Sequence, residues 1–223
     1  MATIVVMTYN VWWPHNQAQV TRVVNAVSPD LVIVQEAPKA IGVWRWQCDR
    51  VARAWQLRRV SGGRDAGSNM ICVSGRVTVL DASKRRLTQP RFKPRRGIVT
   101  AQCEVGGYEF GVVGVHLSLL KDSRPAEAAE ALADAARLRG PTIVAGDLNE
   151  LPSGPAWQVF RDAGYVDHAR PDDTTFSSTT REKRIDALLV KGLTVADQGV
   201  PSLAPELLSK ASDHCPVVAT IEL

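Results

Sequence analysis

The chain has 223 residues, of which 45% are hydrophobic and 22% are charged. These are ordinary values for a soluble globular protein. No uninterrupted apolar run reaches the roughly 18 residues that a membrane-spanning helix needs. The length suffices for one substantial core, and the sequence has no repeat, low-complexity tract or linker. We therefore expect a single domain over residues 1–223.

The cysteines and the N-terminus bear on cellular location. Cys48, Cys72, Cys103 and Cys215 are scattered, which is neither a zinc pattern nor a dense disulfide framework. They favour a reducing compartment, so we expect a cytoplasmic protein. Residues 1–7 lack the basic segment and the cleavage site of a signal peptide, and we interpret them as the start of the first strand. A leader removed ahead of residue 1 would leave the same pattern.

The positive charge is concentrated in one segment. The net charge is +4, from 27 basic and 23 acidic residues. Seven cations and no acid stand between residues 84 and 96: Lys84, Arg85, Arg86, Arg91, Lys93, Arg95 and Arg96. Removing those seven leaves 20 basic residues against 23 acidic ones. This basic segment is interpreted either as a wall that binds an anionic partner or as a solvated loop.

Hydrophobic periodicity predicts alternating strands and helices in the first half of the chain. A β-branched run predicts a strand over 3–11, and valines at helical spacing predict a helix over 16–27. A short apolar strand follows over 31–34, then a helix over 43–56. Further strands are predicted near 69–73, 76–81, 98–105 and 108–116, and Gly106-Gly107 joins the last two as a hairpin.

The second half continues in the same way. An alanine-rich helix is predicted over 123–139 and ends at Gly140-Pro141. A buried strand follows over 142–145, then a short helix over 155–163. Strands near 184–190, 193–198 and 215–222 finish the chain. Helices that cover several strands, some of them joined by hairpins, imply a mixed sheet or a pair of packed sheets.

Polar functional side chains recur where these apolar strands end or begin. Those at strand ends are Asn10, Glu36, His116, Asp147 and Asn149, and those just before a strand are Asp213 and His214. A single such residue is commonly a turn former or a helix cap. Sites in layered α/β folds gather at strand ends, so this many carboxylate, amide and imidazole groups predict one functional site.

Six short motifs, in chain order, resemble those of the endonuclease/exonuclease/phosphatase superfamily. They are Thr8-Tyr9-Asn10, Val34-Gln35-Glu36, Val115-His116-Leu117, Gly146-Asp147-Leu148-Asn149, Arg184-Ile185-Asp186 and Ser212-Asp213-His214-Cys215-Pro216. The resemblance runs from residue 3 to residue 222. It implies an α/β fold of the deoxyribonuclease I type, a four-layer α/β sandwich of two face-to-face mixed β-sheets flanked by helices. It also implies a divalent-metal-dependent phosphoester hydrolase.

The expected metal is Mg²⁺ or Mn²⁺ with oxygen ligands. Glu36 follows a strand directly, and Mg²⁺ takes one or two carboxylates plus water and substrate phosphate. We expect Glu36 as the main ligand, with Asn10 and Asp213 as further ligands. The alternatives are an exposed strand-end acid for Glu36 and a turn residue for Asn10.

The resemblance also implies catalytic roles. Asp147 orients or deprotonates the attacking water, and Asn149, on the same side of an extended segment, hydrogen-bonds the phosphate. An Asx turn that caps the strand is the alternative. His214 is the histidine nearest the phosphate, and Asp186 would fix its tautomer. For His116 we expect leaving-group protonation or phosphate contact, with a core histidine as the alternative.

The expected substrate is a nucleic-acid or nucleotide phosphodiester, cleaved by in-line attack of water. The basic segment, with Arg95 and Arg96, would hold the backbone. Because adjacent strand residues face opposite sides, Trp12 and Trp13 cannot both pack into one core. One of them, Trp12, would stack on a base or line the mouth of the pocket, and at least one is expected to pack in the core. His15 and His168 match no motif and are expected at the surface.

Two other functions remain open at this point. One is a phosphatase or phospholipase acting on a small phosphoester, a phosphoinositide or sphingomyelin. Because no hydrophobic hairpin or amphipathic basic helix is visible, we expect no stable membrane association. We also expect a monomer. The other is a catalytically dead binding module, which would have lost Glu36, Asp147 or His214, yet all three are present.

Overall fold

Five helices and twelve strands cover most of residues 3–88 and 94–223, the parts of the chain that the computed structural model describes. The helices are α1 (Gln17–Val27), α2 (Trp44–Ala54), α3 (Arg124–Ala135), α4 (Pro155–Asp162) and α5 (Pro205–Ala211). The strands are β1 (Thr3–Asn10), β2 (Leu31–Gln35), β3 (Arg58–Gly63), β4 (Asn69–Val73), β5 (Thr78–Arg86), β6 (Gly97–Val105), β7 (Tyr108–His116), β8 (Thr142–Asp147), β9 (Val166–Asp167), β10 (Asp186–Lys191), β11 (Thr194–Gly199) and β12 (Val217–Glu222). Within these ranges no helix is long and apolar enough to cross a membrane.

The strands form two mixed sheets of six. The first has the order β11-β12-β1-β2-β4-β3, and the second has the order β5-β6-β7-β8-β10-β9. Each sheet has one parallel pair at its centre, β1 with β2 and β7 with β8, while the other neighbours are antiparallel. The helices flank the sheets, which confirms the expected four-layer sandwich of the deoxyribonuclease I type.

The core consists of three apolar layers. One lies between the sheets and includes Ile4, Ile33 and Ile143. A second contains side chains from the first sheet and from α1, α2 and α5, and a third contains side chains from the second sheet and from α3 and α4. Because both faces of each sheet are covered, the central strands are almost entirely apolar. In β2, for example, four apolar residues precede Gln35, and all five residues are buried.

The sheets approach closely at Gly114 in β7. A Cβ atom there would lie 2.6 Å from Cγ2 of Ile33 in the opposite sheet. This contact brings the two parallel strand pairs together, so the ends of β1, β2, β7 and β8 can form one site.

Two expectations about local structure are wrong. Trp12 and Trp13 lie beyond the end of β1, so strand alternation does not decide where they point; Trp12 has a φ of 43° and stacks on His15. Trp13 packs against the apolar layer of the first sheet, which confirms that at least one of the two contributes to the core. The basic segment is not one loop, because β5 continues to Arg86 and pairs with β6 from Gly97 onward. Lys84–Arg86 therefore belong to an edge strand.

Candidate active site

The residues predicted from strand ends meet at one edge of the sandwich. Asn10 ends β1 and pairs with Gln35 at the end of β2, so Glu36 comes one residue later. His116 ends β7 and pairs with Asp147 at the end of β8. β10 and β12 run antiparallel to β8 and β1, and their first residues therefore start at this same edge. Asp186 begins β10 and His214 precedes β12.

Asp147 lies at the centre of this site and is 1% exposed. Its Oδ2 accepts a hydrogen bond from Asn10 Nδ2 at 3.1 Å and lies 3.2 Å from Nε2 of His116. Nε2 of His214 is 3.8 Å from the same oxygen. The other carboxylate oxygen accepts the backbone N–H of Asn149 at 2.8 Å. The carboxylate thus joins side chains from both sheets.

These neighbours keep Asp147 ionised. Burial by itself raises the pKa of this carboxyl, but His116, His214 and the Asn149 amide together hold that pKa well below its usual range. A carboxylate with such a low pKa is a weak proton acceptor. It is better suited to orienting a water molecule and passing a proton on than to retaining one.

His214 and Asp186 form a buried pair. Nδ1 of His214 lies 2.9 Å from Oδ2 of Asp186, and Asp186 is 2% exposed. Burial lowers the pKa of His214, but Asp186, Asp147 and Asp213 raise it more strongly, to about 10. Burial raises the pKa of Asp186. At neutral pH the imidazolium of His214 therefore faces the Asp147 carboxylate.

Asn149 is part of an Asx turn that caps β8, which was the alternative interpretation of the sequence. β8 ends at Asp147, so residues 147 and 149 are not on one extended segment, and Asn149 has a φ of 51°. The N–H of Asn149 closes an Asx turn on Asp147, and its Nδ2 donates to the carbonyl of Leu117 at 3.0 Å. The expectation that the two side chains share a strand face is wrong. A phosphate contact of Asn149 stays a prediction.

Glu36 and Asn10 fit a hard divalent cation. Glu36 has a φ of 57°, a conformation that is uncommon outside glycine and that accompanies functional sites. Among the described residues its carboxylate has no hydrogen-bond or salt-bridge partner, and it lines a cavity of about 580 Å³. Oδ1 of Asn10 accepts one N–H, from Trp12, and keeps a second lone pair. Oxygen donors of this kind suit Mg²⁺ or Mn²⁺.

Two further groups near this position are relevant to metal binding. Ligand atoms of Asp147, Asp186 and His214 all lie within 4.8 Å of one another, but Nδ1 of His214 already bonds Asp186. We therefore interpret those three residues as an acid–base group, in which His214 and Asp186 are hydrogen-bonded and Asp147 lies 3.8 Å from Nε2 of His214. Asp213 is half-buried with Oδ1 3.4 Å from the Ser212 hydroxyl, and its role as a ligand stays a prediction.

Arg96 lies inside the site, where the sequence placed a surface cation. It is 8% exposed, and its Nη1 lies 2.9 Å from Nδ1 of His116. Burial lowers the pKa of Arg96, while Asp147, Glu36 and Glu127 raise it. Arg96 therefore lies close to the carboxylates of the site and is not part of an external wall.

The rest of the basic segment is dispersed. Arg85 forms salt bridges with Glu130 at 2.6 Å and Asp134 at 2.7 Å on α3, so it is not available as a wall residue. Arg91 and Lys93 lie outside the described residues. Arg95 is exposed and lines the cavity beside Glu36. Trp12 is 42% exposed but is not among the residues that line this cavity.

Sequence reasoning missed two cations of the cavity, Lys39 and Arg64. Lys39 stands three residues after Glu36, and Arg64 follows Gly62-Gly63, a stretch that carried no recognised motif. Proximity to Glu36 was a usable signal for Lys39. For Arg64 no signal existed, because the pairing of β3 with β4 brings it there.

Residues 7–214 match the model of the Endonuclease/Exonuclease/phosphatase family. The chain therefore belongs to this family of phosphoester hydrolases, whose members depend on divalent metal ions. No curated protein matches the sequence.

Solved structures share the fold at low sequence identity. An endonuclease/exonuclease/phosphatase from Bacteroides vulgatus is 19% identical with a TM-score of 0.80, and 100% of each chain is covered. A mannosyl-6-phosphatase from Bacteroides thetaiotaomicron is 18% identical with a TM-score of 0.79, covering 99% of this chain and 100% of that one. The catalytic domain of human nocturnin is 17% identical with a TM-score of 0.73, covering 99% and 93%. At these identities the likeness extends to the fold alone.

The raised pKa of His214 predicts a loss of stability at alkaline pH. The charged pair stabilises the fold fully below the unfolded histidine pKa of about 6.5, and this contribution is lost as the pH rises through about 10. We expect the free energy of unfolding by urea, in EDTA, to fall more steeply between about pH 7 and 10 in the wild type than in His214→Gln. Equal slopes would contradict the assignment.

Proposed function

We propose that the protein cleaves phosphodiester bonds in nucleic acid or nucleotides, using Mg²⁺ or Mn²⁺ held by Glu36 and Asn10. The proposal depends on the cavity of about 580 Å³ that Glu36 shares with four cations, Lys39, Arg64, Arg95 and Arg96. A metal ion at Glu36 would bind the phosphate that is cleaved, and these cations can bind a neighbouring phosphate of the same substrate.

The walls of this cavity support the same substrate class. Ile41 is 82% exposed and Leu119 is 66% exposed, and both line the cavity. Exposed aliphatic side chains beside cations suit a ligand that combines a base or sugar with phosphate. Among the described residues, Lys39, Arg64 and Arg95 form no salt bridge, so they remain available to such a ligand.

In the proposed mechanism Asp147 orients the attacking water. When bound, the metal ion supplies charge stabilisation to the phosphate oxygens and acidifies water. The water oxygen bonds to phosphorus as the ester P–O bond breaks, and His214 donates its Nε2 proton to the leaving oxygen. Asp147 stays ionised, in keeping with its low pKa, and the proton of the water passes to Nε2 of His214 after that nitrogen has released its own proton. Nε2 of His214 lies 3.8 Å from Oδ2 of Asp147, so a water molecule held by Asp147 can reach both.

A second candidate is hydrolysis of a small phosphomonoester. Arg85 is held by Glu130 and Asp134, and Arg96 is buried. The described part of the basic segment thus offers an extended nucleic-acid backbone fewer cations than its composition predicted. The similar fold of a mannosyl-6-phosphatase makes a sugar phosphate the natural representative of this class.

We expect hydrolysis to stop in EDTA and to recover when Mg²⁺ or Mn²⁺ is added. The reason is the oxygen-only donor set at Glu36 and Asn10. Glu36→Gln should raise the metal concentration needed for half-maximal rate, while far-UV and near-UV circular dichroism stay unchanged. Full turnover in EDTA, with trace metal verified absent, would contradict the mechanism.

Single substitutions at Asp147, Asp186 and His214 should differ in severity. Asp147→Asn and His214→Ala should each lower kcat by roughly 10²–10⁴-fold, the range of general acid–base contributions. Asp186→Asn should be milder than His214→Ala, because it disorients the ring without removing it. Steady-state rates on one substrate at saturating metal decide this. Equal losses of kcat in Asp186→Asn and His214→Ala would contradict a role for Asp186 that is limited to orienting the ring.

The cavity cations should separate the two candidate substrates. We expect Arg64→Ser/Arg95→Ser to weaken DNA binding and to flatten its log–log salt dependence by roughly 0.7–0.9 per lost phosphate contact. Hydrolysis of a chromogenic phosphodiester and of a sugar phosphate should change much less. Arg96 is left intact, because its contact with His116 would disturb the chemistry as well.

The matched control is Arg22→Ser, which removes an exposed cation of α1 that does not line this cavity. It should leave the salt slope unchanged. An unchanged slope in the double variant, together with efficient sugar-phosphate turnover, would favour the phosphomonoesterase.

A further inference from the structure

The hydrogen bonds around His116 determine where its proton resides. Nη1 of Arg96 lies 2.9 Å from Nδ1 of His116, and Nε2 of His116 lies 3.2 Å from Oδ2 of Asp147. A guanidinium has donors but no acceptor, and it stays protonated in proteins. Nδ1 must therefore accept, so it carries no proton. The proton of the neutral ring is on Nε2, where it is donated to Asp147.

We propose that Arg96 is a positioning residue that holds His116 as a neutral donor to Asp147, so that His116 does not serve as the acid that protonates the leaving group. This inference rests on the proposed hydrolysis and assigns a role within the same site. It replaces the leaving-group role that the resemblance implied for His116.

Protonation of His116 is opposed by the same geometry. A second proton would be on Nδ1 and would point at the N–H of Arg96, which places two donors 2.9 Å apart. His116 is 2% exposed and Arg96 is 8% exposed, so water does not screen the two positive charges. Asp147 favours a charged ring, but a neutral ring already satisfies it through Nε2–H.

The other histidine of the site has the opposite environment. Nδ1 of His214 faces the carboxylate of Asp186 at 2.9 Å, an acceptor that favours a charged ring. Asp147 therefore lies between a histidine that can lose a proton from Nε2 and a histidine whose Nε2 proton is retained. Acid–base work is assigned to His214, and His116 holds Oδ2 of Asp147 in place.

The direct test is long-range ¹H–¹⁵N NMR of the histidine rings in the Mg²⁺-loaded protein without substrate. We expect a bare Nδ1 and a protonated Nε2 at His116 near neutral pH, the tautomer that the contacts with Arg96 and Asp147 require. A proton on Nδ1 of His116 would overturn the proposal.

Arg96 variants connect the tautomer to its cause. Arg96→Lys keeps a charged donor and should leave Nδ1 of His116 bare. Arg96→Gln offers a carbonyl acceptor beside its amide donor, so Nδ1 of His116 becomes able to hold a proton. Arg95→Gln, a change at the exposed neighbour, should not alter the His116 signals. A proton on Nδ1 of His116 in Arg96→Lys would contradict the proposed control by Arg96.

Kinetics test the role separately. His116→Gln places an amide N–H where Nε2–H stands but cannot supply an imidazolium proton, whereas His116→Ala supplies neither. We expect His116→Gln to keep at least about tenfold more kcat than His116→Ala and to keep the wild-type pH profile. Equal losses in both, with a changed pH profile, would assign the acid role to His116.

The NMR result needs no turnover, so it is distinct from the outcome for the proposed function. If no phosphoester is hydrolysed while Nδ1 of His116 is bare, the proposed function fails and the assignment of the tautomer stands. If hydrolysis proceeds while Nδ1 is protonated, the reverse holds.

Discussion

One buried carboxylate links the two sheets of this protein. Burying an ionised carboxylate costs several kcal/mol unless hydrogen bonds and charges replace the lost water. Asp147, at the end of β8, meets this requirement with donors from both sheets: Asn10 of β1, His116 of β7 and the amide of Asn149. These donors meet at one point because β1 and β7 end at the same edge of the sandwich. The site therefore depends on how the sheets are packed.

The two histidines beside Asp147 have different roles because their environments differ. His214 has a carboxylate partner, Asp186, and His116 has a guanidinium partner, Arg96. Opposite partners separate the protonation states of chemically equal groups, as acid–base sites generally require. The difference arises from the residue that contacts Nδ1 of each histidine, so it is set by which strand ends lie beside that histidine.

Much of the fold could be predicted because central strands are buried on both faces. Such strands appear as continuous apolar runs, and the amphipathic helices α1 and α2 appear as valine and tryptophan stripes within a residue or two of their observed bounds. β3 (Arg58–Gly63) and α5 (Pro205–Ala211) were missed. The first is a polar, glycine-containing edge strand and the second has only seven residues, so neither carries a period that its own sequence can display.

The sequence by itself determined that Asn10, Glu36, His116, Asp147 and His214 stand beside strand ends, and these residues meet at one edge of the sandwich. Asp186, predicted inside a strand and assigned through its motif, joins them because β10 begins at that residue. Only the tertiary structure decided which groups the cations of the basic segment contact. Arg85 pairs with α3, Arg95 faces the cavity and Arg96 contacts His116. Neighbouring cations are equivalent in a sequence. Whether each one meets a carboxylate, a histidine or solvent depends on the pairing of β5 with β6 and on the elements packed against them.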